Sequence, residues 1–113
     1  MTESQVLKAI IKKIKANMIL SYPDIIWWER LQSLRMGTIT VGKPGNPDLV
    51  LAVNQGNGGL ALLFLEVKRS GTTRLRFEQK EFFMMMAGKP KVLCRVINDP
   101  AQLGPYIKEC KNL

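Results

Sequence analysis

The chain's 113 residues are enough for one hydrophobic core, and 46% hydrophobic with 23% charged residues marks an ordinary globular protein rather than a disordered or fibrous one. Seventeen Lys and Arg against nine Asp and Glu give a net charge of +8, which points to a polyanionic partner, although basicity for solubility alone explains it too. With no histidine and only two cysteines, Cys94 and Cys110, a zinc site lacks ligands, so any hydrolytic chemistry must use carboxylates, lysine or a hard metal ion.

In chain order, the amino terminus shows no basic-then-apolar leader, and the longest apolar run, Leu60 to Leu65, is too short to span a bilayer; a single cytoplasmic domain with reduced thiols is expected. Val6, Leu7, Ile10, Ile11, Ile14 and Met18 follow the spacing of an amphipathic helix over residues 3 to 18, and Thr2 with Gln5 forms a T-x-x-Q capping box at its start. Lys8, Lys12, Lys13 and Lys15 lie off that stripe, either as a solvated face or as a nucleic-acid contact. Ile25-Ile26-Trp27-Trp28 reads as a strand whose tryptophans face opposite sides, one toward the core and the other toward an interface or a stacked base. The glycines and prolines between Met36 and Pro47 predict a loop with room for one short strand.

Two strands then follow, Asp48 to Val53 and Leu60 to Lys68, joined by the turn-rich Asn54-Gln55-Gly56-Asn57-Gly58-Gly59 as an antiparallel hairpin. A helix is expected from Arg76 to Ala87, ended by Gly88 and Pro90, then a strand from Lys91 to Ile97. Asp99-Pro100 caps a last helix reaching about Cys110. The order of helix, three strands, helix, strand and helix defines an α/β chain of the α+β kind.

The chemistry-bearing residues sit on the hairpin. Side chains alternate along a strand, so Glu66 and Lys68 share one face while Leu65 and Val67 enter the core. A hairpin centred on Asn57 sets Asp48 opposite Glu66, with Cβ atoms roughly 5 Å apart. Two facing carboxylates repel unless a cation lies between them. Magnesium, which takes oxygen ligands and keeps waters, suits Asp48, Glu66 and the backbone carbonyl of Val67, with Lys68 placed to orient or deprotonate an attacking water or to stabilise the transition state. An Asp at a turn beside a surface Glu-Lys ladder is the competing, purely structural explanation.

Gly45-Asn46-Pro47-Asp48-Leu49, Phe64-Leu65-Glu66-Val67-Lys68 and Gln79 in the following helix resemble the motif series of the virus-type replication-repair nuclease (VRR-NUC) domain of the PD-(D/E)XK nuclease superfamily. The resemblance runs from Glu3 to the last strand. It implies a nuclease core with a mixed central sheet, a Mg2+ or Mn2+ cofactor, and catalytic roles for Asp48, Glu66, Lys68, Gln79 and Glu3. Glu3 matches the family's acidic residue at the start of the first helix and falls on the inward stripe, where it would act on the metal indirectly; a glutamate favoured by the helix dipole is equally consistent. Where family members often carry Ser or Thr before the Gln-bearing helix, this chain has Arg76.

Arg69, Arg74, Arg76 and Lys80 flank the site in sequence and, with Lys43 in the preceding loop, are candidate phosphate contacts, although solvation explains any one of them. Small stand-alone members of the family, typical of phages, are associated with homodimers that cut branched DNA such as four-way (Holliday) junctions. The resemblance therefore implies a DNA endonuclease dimer, in the host cytoplasm if phage-encoded. Phe82-Phe83-Met84-Met85-Met86, more apolar than one helix face requires, fits an additional interface or core packing. A non-cleaving nucleic-acid-binding module with the same fold, or a restriction-type duplex endonuclease, are the alternatives.

Overall fold

In the computed structural model, residues 1–31, 34–36, 39–41 and 45–113 are described, with the backbone alone for 34–36 and 39–41. Helix α1 (Glu3–Met18) begins as its sequence dictates: Thr2 Oγ1 accepts from the Gln5 amide at 3.2 Å and Gln5 Oε1 from the Thr2 amide at 2.9 Å, a complete capping box. Its stripe of Val6, Ile10 and Ile14 is fully buried. Strand β1 (Ile25–Arg30) follows, then two short strands, β2 (Leu34–Met36) and β3 (Ile39–Val41), which pair antiparallel as a separate ribbon. The one short strand expected between Met36 and Pro47 is β3; β2, which ends at Met36, was not expected, because Leu34-Arg35-Met36 alternates apolar and polar residues over only three positions, too brief a pattern to stand out.

Strands β4 (Leu49–Asn54) and β5 (Leu60–Val67) form the expected hairpin, with Leu49 facing Leu65 and Asn54 facing Leu60, a register centred on Asn57. Helix α2 (Phe77–Met86) leads to β6 (Val92–Ile97), which lies parallel to β5. A 3-10 turn (Pro100–Gln102), capped by Asp99 Oδ1 accepting from the Ala101 amide at 2.9 Å, opens into helix α3 (Leu103–Lys111). The result is an α+β protein with a four-stranded mixed sheet, β1-β4-β5-β6. Among the described residues no helix is long and apolar enough to cross a membrane.

The sheet's two faces differ in chemistry. On one, Ile25, Leu49, Leu51, Val53, Ala61, Leu63, Leu65, Val67, Leu93 and Ile97 meet the buried stripes of α1 and α3 in a single apolar cluster. On the other, α2 lies over the carboxyl half of β5, where Phe64 and Phe82 pack edge-to-face with ring centroids 5.2 Å apart. Leu60 and Leu62 on that face stay exposed. Trp28 packs against the cluster while Trp27 is 48% exposed, so the two tryptophans do part to opposite sides.

Candidate active site

The site lies where β5 leaves the sheet. Glu66 is the last even-numbered residue of β5, on the face under α2, and only 4% exposed. Asp48 stands one residue before β4, whose first pair sets Leu49 opposite Leu65. Its amide donates to the Leu65 carbonyl at 3.0 Å, and its carboxylate Oδ2 accepts from the Val67 amide at 2.8 Å. A strand residue's N–H and C=O lie on the same edge, so the Val67 carbonyl also faces the Asp48 side. The backbone of β5 thereby fixes Asp48 against Glu66.

Gln79, 3% exposed in the first turn of α2, ties the constellation together. Its Nε2 donates to Glu66 Oε1 at 2.8 Å, while its Oε1 accepts from Lys68 Nζ at 3.1 Å and from the Arg76 amide at 2.8 Å. The last bond is half a capping box; Arg76, with no acceptor on its side chain, cannot complete the other half. Lys68 Nζ also stands 3.7 Å from Glu66 Oε1.

The electrostatics of this group are unbalanced. Burial, and after it the facing Asp48 carboxylate, push the Glu66 pKa from an ordinary 4.5 up to about 8; Lys68 opposes the rise, while a hydrogen bond with Asp48 and the more distant charge of Glu3 add to it. That hydrogen bond needs a proton on one of the two carboxyls; ionised, neither can donate to the other, and among the described residues Glu66 Oε2 is buried with no hydrogen-bond partner. An unpartnered buried carboxylate oxygen beside a second carboxylate is costly unless a proton or a cation joins them. The donor set therefore fits a hard divalent ion. Among the described residues no three His, Cys, Asp or Glu side chains gather into a full cage, but magnesium needs only one or two carboxylates besides waters. The thiols take no part: burial pushes Cys94 and Cys110 up to about 11, so both stay protonated.

Beside this group opens a cleft of about 560 Å3, lined by Glu3, Lys68, Arg69, Thr72, Arg74, Leu75, Arg76, Phe77 and Lys80. All four described candidate phosphate contacts thus converge on the wall that Lys68 shares. The connection from β5 to α2 is held in this shape by Asn98 Nδ2 donating to the Thr72 carbonyl at 2.9 Å and by Gly71 at φ +83°. Lys43 lies outside the described residues.

Glu3 departs from expectation. Although it follows the spacing of Val6 and Ile10, Glu3 is exposed at the cleft rather than turned inward. The Ser70 amide donates to the Met1 carbonyl at 3.1 Å and keeps the start of α1 beside the exit of β5. Gly45 was not singled out as a site residue. At φ +88° it approaches α2 so closely that a Cβ would lie 2.6 Å from the Glu78 carbonyl oxygen, which joins the Asp48 turn to the helix carrying Gln79. Phe77, also unforeseen, stands exposed in the cleft.

A carboxylate pair with an unpartnered oxygen, an adjoining ammonium and a cationic cleft define a site suited to a polyanion and a hard cation. Compared with known protein families, with curated proteins and with solved structures, the chain matches none.

Proposed function

We propose that the protein is a Mg2+- or Mn2+-dependent DNA endonuclease of the PD-(D/E)XK kind, with the VRR-NUC motif series as its active site. One observation carries the reading: the Asp48–Glu66 pair, in which Glu66 is buried and its Oε2 has no hydrogen-bond partner among the described residues, lies next to Lys68, which also lines a cleft with Arg69, Arg74, Arg76 and Lys80. A structural Glu-Lys ladder needs no buried carboxylate, no second carboxylate facing it and no converging cations.

In this reading Asp48, Glu66 and the Val67 carbonyl hold the ion. When bound there, a divalent cation acidifies water and offsets negative charge developing at phosphorus. Lys68, held by Gln79, orients the attacking water and stabilises the charge of the transition state. Gln79 keeps Glu66 and Lys68 in place, and the cleft cations grip phosphates on either side of the scissile bond. Glu3, at the cleft mouth, acts on the ion only through its charge.

Branched DNA, such as a four-way junction, and a homodimer are part of the proposal. A two-fold pair would present two sites to two strands, and the exposure of Met84 at 76% and Met85 at 54% on α2 leaves apolar surface for a partner.

The test is incubation with labelled four-way junctions, duplexes and single strands in Mg2+ or Mn2+. Metal-dependent cutting is expected, falling at least about 100-fold in Lys68→Ala with DNA binding retained. Binding without turnover in any metal would assign a non-cleaving module, and discrete fragments from long duplex DNA a restriction-type enzyme. Cutting that persists in both Asp48→Ala and Lys68→Ala rules out the site.

A further inference from the structure

Helix α2 begins with Phe77, whose ring is mostly exposed rather than sealed in the fold. The helix is anchored to the sheet by Gln79, 3% exposed, and by Phe82 against Phe64, whereas Phe77 is 72% exposed. Yet Phe77 does not stand on an apolar surface. It lines the cleft together with Lys68, Arg69, Arg74, Arg76 and Lys80, five cations against the single acid Glu3. Such walls are hostile to an apolar protein segment and attractive to phosphates.

Resting on the nuclease reading above, we infer that Phe77 is a stacking platform for an unpaired nucleobase, so that the cleft selects DNA with a single-stranded or everted nucleotide beside the scissile phosphate. The physical reason is that the cations read only backbone charge, which duplex and single strands both offer. An aromatic ring beside them adds a contact that only an unstacked base can complete, because in a duplex both faces of each base are covered by neighbours. Stacking on an aromatic side chain tolerates any base, so the selectivity concerns DNA structure, not sequence. Two further exposed aromatics, Tyr22 and Trp27, are not among the residues lining this cleft.

The experiment measures binding of the full chain, with metal chelated to prevent cutting, to fluorescent oligonucleotides of one sequence presented as single strand, as duplex and as duplex with a one-nucleotide bulge. For the wild type, tighter binding of the unpaired forms than of duplex is expected. In Phe77→Ala the ratio of unpaired to duplex affinity should fall about ten-fold, and Phe77→Trp should restore it, with the melting temperature of each variant checking that it folds. An unchanged ratio in Phe77→Ala, in a protein that still binds DNA, overturns this inference and leaves the nuclease reading standing. Failure of the wild type to bind any of the three DNAs, or a four-way junction of the same sequence, overturns both.

Discussion

The two faces of strand β5 are built from one run of residues yet obey opposite rules. Ala61, Leu63, Leu65 and Val67 point to the α1–α3 side, all at most 1% exposed, and join the apolar cluster there. Leu60, Leu62, Phe64 and Glu66 point to the other side, which α2 covers only in part, and whose best-sealed member is a carboxylate. The first face holds the fold together; the second places a charge where burial raises its energy. A strand can serve both ends because its alternation separates them by a single residue, and the apolar side supplies the rigidity that the strained polar side requires.

Substitutions on the two faces should therefore fail in different ways. The largest effect is expected from Leu65→Ala, which removes buried methyl groups from the cluster and should lower stability by about 2–5 kcal/mol, read by denaturant unfolding. If its loss were small, the α1–α3 face would not be the stabilising one. Gly45→Ala is next: a Cβ against the Glu78 backbone at a positive φ should destabilise by about 1–3 kcal/mol and separate the Asp48 turn from α2, lowering turnover as well. A variant with native activity and melting temperature would show that the contact does not position the site.

Gln79→Ala should cost about 1–3 kcal/mol, because Glu66 Oε1, Lys68 Nζ and the Arg76 amide all lose a partner. Unlike Leu65→Ala, it should depress turnover even at temperatures where the fold is intact.

The last effect is spread over pH, as a slope. In the metal-free protein the Glu66 pKa is raised from 4.5 to about 8, so between those values the folded chain holds more protons than the unfolded one. Stability must then fall as pH rises through that window, by up to about 1.4 kcal/mol per pH unit, and the penalty is complete above pH 8. Glu66→Gln should flatten the slope while abolishing cleavage, and Mn2+ should restore stability at the alkaline end. Melting temperatures across this range, with and without the ion, check all three; a metal-free slope of the opposite sign would mean that Glu66 is already compensated.

Much of this arrangement was legible beforehand, for reasons that differ by element. The hairpin register from Leu49 to Leu65 followed from symmetry about Asn57, and counting alone put Asp48 in the neighbourhood of Glu66, whose charge it feels. Helix α1 was equally legible, since its capping box and the spacing of Val6, Ile10 and Ile14 are local signals. Glu3 was misplaced because periodicity gives a residue's angle around the helix but not its burial. The threefold bonding of Gln79 and the convergence of Arg69, Arg74, Arg76 and Lys80 were not legible in detail. They depend on the path of the connection from β5 to α2, set by Gly71 and by the reach of Asn98 from the end of β6. Of the β2–β3 ribbon, β3 falls where one short strand was expected, whereas β2 was hidden because three residues are too short to announce a period.

The most direct test is a crystal grown with Mn2+ and measured at the manganese absorption edge. An anomalous peak bridging the carboxylates of Asp48 and Glu66, absent from crystals of Glu66→Gln, is the predicted result. Manganese bound elsewhere while those two side chains remain joined by a proton would contradict the account.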